Sequence, residues 1–106
     1  MKRYIAKGIV YGKTWGGGFG AYEASEIGAQ SLKDLLIEAR KDLKSGALDS
    51  GRGFEYLKGA LLDIQEIETV KLNGKVYTNK EYTQEFIGDL TEAEQDFLLE
   101  TRKWKV

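Results

Sequence analysis

Seven carboxylates stand between residues 81 and 100 (Glu81, Glu85, Asp89, Glu92, Glu94, Asp96 and Glu100), and no Lys or Arg interrupts them. A surface of that charge would steer a basic protein groove toward it, including one that normally accepts nucleic acid. The opposite pole lies at the start of the chain. Lys2, Arg3, Lys7 and Lys13 interleave there with Tyr4, Tyr11, Trp15, Phe19 and Tyr22, and no acid occurs among the first 22 residues. Cations track phosphates and rings stack bases, so the four bases are candidate nucleic-acid contacts. Trp15 and Phe19 also flank Gly16-Gly17-Gly18, which sets two large rings at a loop tip where a protein partner would bury them.

Other spacings lead nowhere. The segment from Gly8 to Thr14 ends in Gly-Lys-Thr like a phosphate-binding loop. Three residues separate its glycines where four are required, and more glycines follow where a helix should begin. Glu66 and Glu68 share one face of an extended 60–72 segment and Asp63 the other, a common arrangement without a D-x-D or EF-hand pattern. The chain has no His and no Cys. That excludes an imidazole base, a thiol nucleophile, a Cys/His zinc site and a disulfide framework. The sequence therefore assigns no catalytic residue, no cofactor and no metal.

Behind these residues stands one small domain. The 106 residues are 42% hydrophobic and 31% charged, and 16 Lys plus Arg against 17 Asp plus Glu leave a formal charge of -1. That balance suits a soluble globular chain over residues 1–106. The isoelectric point of about 5.5 weighs against direct nucleic-acid binding. No apolar run approaches the ~18 residues of a membrane span, and none of signal-peptide length follows Lys2 and Arg3. The expected setting is cytoplasmic, with no membrane partner.

Pattern and punctuation supply the elements. Tyr4, Ile5, Ile9, Val10 and Tyr11 predict a strand over 3–13, and the glycines turn it into a second strand over 21–27. Ser31 and Asp34 resemble a capping box, Leu32, Leu35, Leu36, Ala39 and Leu43 form one apolar face, and Gly46 can end a helix over 32–45. Residues 46–59 read as a connection with turn chemistry at Asp49-Ser50-Gly51-Arg52-Gly53. Over 54–66 helix and strand compete, because Phe54, Leu57, Leu61 and Ile64 also fit a helical face. Asn73-Gly74 then predicts a hairpin whose second arm runs through Tyr82 and Phe86 to about Ile87. Thr91 and Glu94 form a capping box for a last helix, with Ala93, Phe97, Leu98 and Trp104 facing inward and Arg102, Lys103 and Lys105 at its end. The order is β-β-α-β-β-α, an α+β domain with a mainly antiparallel sheet of about four strands packed by two helices.

In size, charge and ββα economy the chain is similar to small accessory proteins of bacteriophages and mobile elements. Some of those inhibit host defence systems such as CRISPR nucleases. The resemblance is one of composition, and it implies a protein-binding inhibitor rather than an enzyme. The expectation is a non-catalytic protein-binding module acting through the acidic 81–100 surface and the Trp15–Phe19 tip. A nucleic-acid-binding module using the basic-aromatic first hairpin is the alternative, and a small oligomeric structural subunit or enzyme the second. Unpaired sheet edges also allow a homodimer.

Overall fold

A computed structural model describes residues 1–49 and 53–105, the last three as backbone only. The β-branched and aromatic run becomes β1 (Lys2–Thr14), and β2 (Phe19–Glu23) returns against it. Between them the Thr14 amide donates to the Gly18 carbonyl at 2.8 Å. The strand that ends in a P-loop-like Gly-Lys-Thr therefore enters a turn and not a helix. The second strand does not run unbroken to Ile27. The Ala24 amide still donates to the Gly8 carbonyl of β1 at 2.9 Å; the chain then leaves β1 at residues 25–26 and returns to the same edge as β3 (Ile27–Ala29). Its detour has a partner: the Ser25 amide donates to the Leu48 carbonyl at 2.8 Å.

The first helix follows its sequence signals. In α1 (Leu32–Ser45) the Ser31 hydroxyl accepts the Asp34 amide at 3.1 Å, and Gly46 closes the end in a left-handed conformation. Leu35, Ala39 and Leu43, spaced i, i+4 and i+8, are its buried face. Leu48, read as part of a connection, is completely buried, and its amide reaches back to the Asp42 carbonyl at 3.0 Å. The connection also ends earlier than expected, because β4 (Phe54–Leu72) begins at Phe54. The turn expected at Ser50-Gly51-Arg52 lies outside the described residues.

Residues 54–66 are strand throughout. β4 is the central strand, with β1 on one side and β5 (Lys75–Gly88) on the other, all antiparallel, in the order β2-β1-β4-β5 with β3 also on β1. Asn73 and Gly74 both take positive φ, 52° and 77°, as the two-residue turn requires. The last helix, α2 (Glu92–Lys105), opens with the expected reciprocal cap. The Thr91 amide donates to Glu94 Oε1 at 2.8 Å and the Glu94 amide to Thr91 Oγ1 at 3.2 Å. The α+β order holds, with the second strand divided in two: five antiparallel strands and two helices. Among the described residues no helix is long and apolar enough to cross a membrane.

The two helices cover opposite faces of the sheet. Val10, Ala60, Leu62, Ile64 and Ile87 pack with Leu35, Ala39 and Leu43 of α1. Ile9 and Leu61, one residue out of phase with them, pack with Leu98 of α2. β4 is thus sealed from both sides over residues 60–62, and such strands read as continuous apolar runs rather than alternations. β1 approaches closely enough at Gly8 that a Cβ there would collide with the Leu61 carbonyl.

Of the described side chains expected to face inward on α2, only Leu98 is buried; Ala93 and Phe97 are exposed. Phe97 lies about 100° around the helix from Leu98, at the margin of the contact rather than in it. The side chains of Trp104, Lys103 and Lys105 lie outside the described residues.

Past Met1, which exchanges hydrogen bonds with Thr69 at 3.0 and 3.1 Å, β4 and β5 run on as a two-stranded arm. It projects about 13 Å at ordinary strand rise. The extents of 58 × 26 × 22 Å and a radius of gyration of 15.3 Å reflect it. A compact chain of this length would have a radius of gyration of about 13 Å.

Candidate functional site

Register assembles an aromatic patch that no segment of sequence contains. Lys13 of β1 is opposite both Phe19 of β2 and Tyr56 of β4, so all three share the face that carries Tyr11 and α2. Phe19 stacks on Tyr11 with ring centroids 5.7 Å apart and meets Tyr56 edge-on at 6.2 Å; Phe97 of α2 meets Tyr11 edge-on at 5.8 Å. Each contact has the offset or edge geometry that aromatic quadrupoles favour. Yet Phe19, Tyr56 and Phe97 remain 51%, 49% and 47% exposed. The rings are ordered by one another without being covered.

Two ion pairs hold the helix beside this patch. Lys58 Nζ donates to both carboxylate oxygens of Glu94 at 2.7 and 2.8 Å. Arg102 Nε does the same to Asp63 at 2.7 and 2.8 Å. The Lys58 ammonium and the Thr91 cap hold the Glu94 carboxyl below its ordinary value, and Glu94 raises Lys58 in return. Burial, then the Glu94 charge, pushes the Tyr11 phenol up. At neutral pH this leaves an ionised acid, a protonated amine and a neutral phenol, which is a clamp rather than an acid–base pair.

A second cluster behaves alike. Tyr4 Oη donates to Glu66 Oε1 at 2.9 Å and Lys2 Nζ lies 3.3 Å from the same oxygen. The Tyr4 bond, then the Lys2 ammonium, lowers the Glu66 carboxyl despite its partial burial. Every perturbed group among the described residues is moved away from neutrality. No group of three or more potential metal ligands occurs among the described residues.

The residues singled out by sequence are not all brought together. Of the seven acids, Glu92, Asp96 and Glu100 are exposed on α2 at spacing i, i+4 and i+8, a stripe turned away from Leu98. Glu94 is committed to Lys58. Glu81 and Glu85 lie on β5 opposite Glu66 and Leu62, on the α1 face of the sheet, and Asp89 lies in the turn between. Among the four bases, Lys2 pairs with Glu66, Lys7 lies 4.0 Å from Glu26 and Lys13 3.5 Å from Glu55. Lys2 is on one face of the sheet, Arg3 and Lys7 on the other.

Trp15 is 70% exposed at the turn, whereas Phe19 lies down on Tyr11. Tyr11, Tyr56 and Phe97 are the patch members that sequence reasoning missed as site residues. Only strand register, which is not written in any one segment, unites them with Phe19. No family model, no curated protein and no solved structure matches this chain.

Proposed function

We propose that this protein is a non-catalytic binding module, an inhibitor or adaptor, that docks a protein partner on the Phe19–Tyr56–Phe97 patch. The single observation that carries the reading is the half exposure of three rings already packed in fixed geometry. Preordered aromatics lose little entropy on binding and bury large areas, the properties of interface hot spots. Glu92, Asp96 and Glu100 run beside Phe97 and give the patch an acidic margin, so the partner is one with basic groups around an apolar site. A basic nucleic-acid groove on another protein is of that kind. A cytoplasmic setting belongs to the proposal, since a chain without cysteine needs no oxidising compartment.

The electrostatics of the two clusters fit the same reading. The perturbed acids, amines and phenols are all held away from the range in which they would exchange protons near neutral pH.

The test begins with capture from host extract on the wild type and on the Glu92→Lys/Asp96→Lys variant. The captured protein is then purified and measured alone. Its association with the wild type should be about tenfold faster than with the charge-reversed variant at low salt, and the gap should shrink as salt rises. Equal rates for the two would remove the acidic margin from the account.

A further inference from the structure

The charges of the sheet are sorted by face, not by position along the chain. On the α2 face, beyond the Arg102–Asp63 bond, successive cross-strand rows are Lys7–Asp63–Gln84, Ile5–Gln65–Tyr82 and Arg3–Ile67–Lys80. On the α1 face the rows at the same level are Tyr4–Glu66–Glu81 and Lys2–Glu68–Asn79. In these rows the α2 face carries Arg3, Lys7 and Lys80 against one carboxylate, Asp63, and the α1 face carries Glu66, Glu68 and Glu81 against one cation, Lys2. Asp63, the acid in the basic rows, is paired with Arg102, and Lys7 lies 4.0 Å from Glu26 at the margin of the same face.

Tyr82 stands in the middle of the basic rows. It is 71% exposed, the most exposed Tyr of the chain's large hydrophobics. Its hydroxyl is held at 3.1 Å by Gln65 Nε2, which fixes the side chain from below and leaves the ring open. Lys80 lies two residues from Tyr82 along β5, and Arg3 and Lys7 lie two strands away on β1, each two residues from Ile5 of the same row. Ile67, the cross-strand neighbour of both Arg3 and Lys80, is 7% exposed, an apolar position of the kind along which long cationic side chains pack.

We infer that this face binds single-stranded nucleic acid, with Tyr82 stacking a base and Arg3, Lys7 and Lys80 meeting the flanking phosphates. The chemistry is that of a sequence-tolerant single-strand surface: a cationic track and a ring every base can stack on. It goes beyond the docking patch, which lies at the other end of the sheet, and either can fail without the other. It also reassigns the cations named from sequence. Arg3 and Lys7 belong to the surface, Lys7 with Glu26 4.0 Å away, Lys80 joins them from β5, and Lys2 and Lys13 lie outside it.

Fluorescence anisotropy of labelled oligothymidylate and oligouridylate of about 20 nucleotides tests this directly. The wild type should bind at low salt and lose affinity as salt rises, with a logarithmic slope of about −2 for three phosphates neutralised. Tyr82→Ala should weaken binding about tenfold. Lys80→Glu should weaken it by a similar factor and flatten the salt slope. Glu85→Gln, on the other face, should leave it unchanged. No binding at low salt would overturn the inference. So would wild-type affinity in both Tyr82→Ala and Lys80→Glu, or equal affinity for duplex of the same length. A dimer that protects β5 from hydrogen exchange would assign the face to a second copy and overturn it too.

Discussion

Over residues 60–62 β4 is sealed between two helices, each residue no more than 1% exposed, whereas over residues 69–72 the same strand has water on both faces. The pairing with β5 is continuous through both regions. What changes is the side chains: Ala-Leu-Leu at the sealed end, Thr-Val-Lys-Leu at the bare one. Hydrogen bonding is therefore common to the two ends and cannot account for the difference in how firmly they are held; burial can. Stability is concentrated where α1 and α2 clamp the sheet, and the arm is free to present groups to solvent.

The widest gap between the two ends should come from truncating buried leucines. Leu61→Ala or Leu62→Ala is expected to cost about 2–5 kcal/mol in urea unfolding. Leu72→Ala or Val76→Ala on the arm should stay within about 0.5 kcal/mol. Similar losses at both ends would erase the contrast. Gly8→Ala sharpens it from the other direction by forcing β1 away from the Leu61 carbonyl, with an expected loss of about 1–3 kcal/mol on the same curve. Thr91→Ala removes one half of the α2 cap and should lower stability by about 1 kcal/mol, read as a shift of the thermal midpoint.

The smallest expected effect concerns pH. Glu94 is depressed below its ordinary 4.5 in the folded protein. Its contribution is complete above the unfolded-chain value and is lost as pH falls through the folded one. Urea midpoints from neutral pH to about pH 3 should therefore fall less steeply in Glu94→Gln than in the wild type. Parallel curves would show that the Lys58–Glu94 clamp does not secure α2.

Local signals in the sequence were enough for α1, the Asn73-Gly74 turn and the α2 cap, because each is written in residues no more than four apart. β4 was ambiguous for a physical reason. Burial on both faces replaced the alternation that marks a half-buried strand with the run Gly59-Ala60-Leu61-Leu62. The break between β2 and β3 was hidden because it depends on Leu48, buried from a loop that looked solvated. The site shows the same division. Neighbouring charges in sequence were sent to different faces by strand alternation and helical period. Tyr11, Phe19, Tyr56 and Phe97 became neighbours through register alone.

The docking patch is tested most directly by isothermal titration of the purified partner into the wild type and into Tyr56→Ala/Phe97→Ala. Unfolding midpoints are measured in parallel, because both rings are half exposed and the fold should survive their loss. The account predicts at least a tenfold loss of affinity, about 1.4 kcal/mol or more, with the midpoint little changed. Wild-type affinity in the double variant would contradict it.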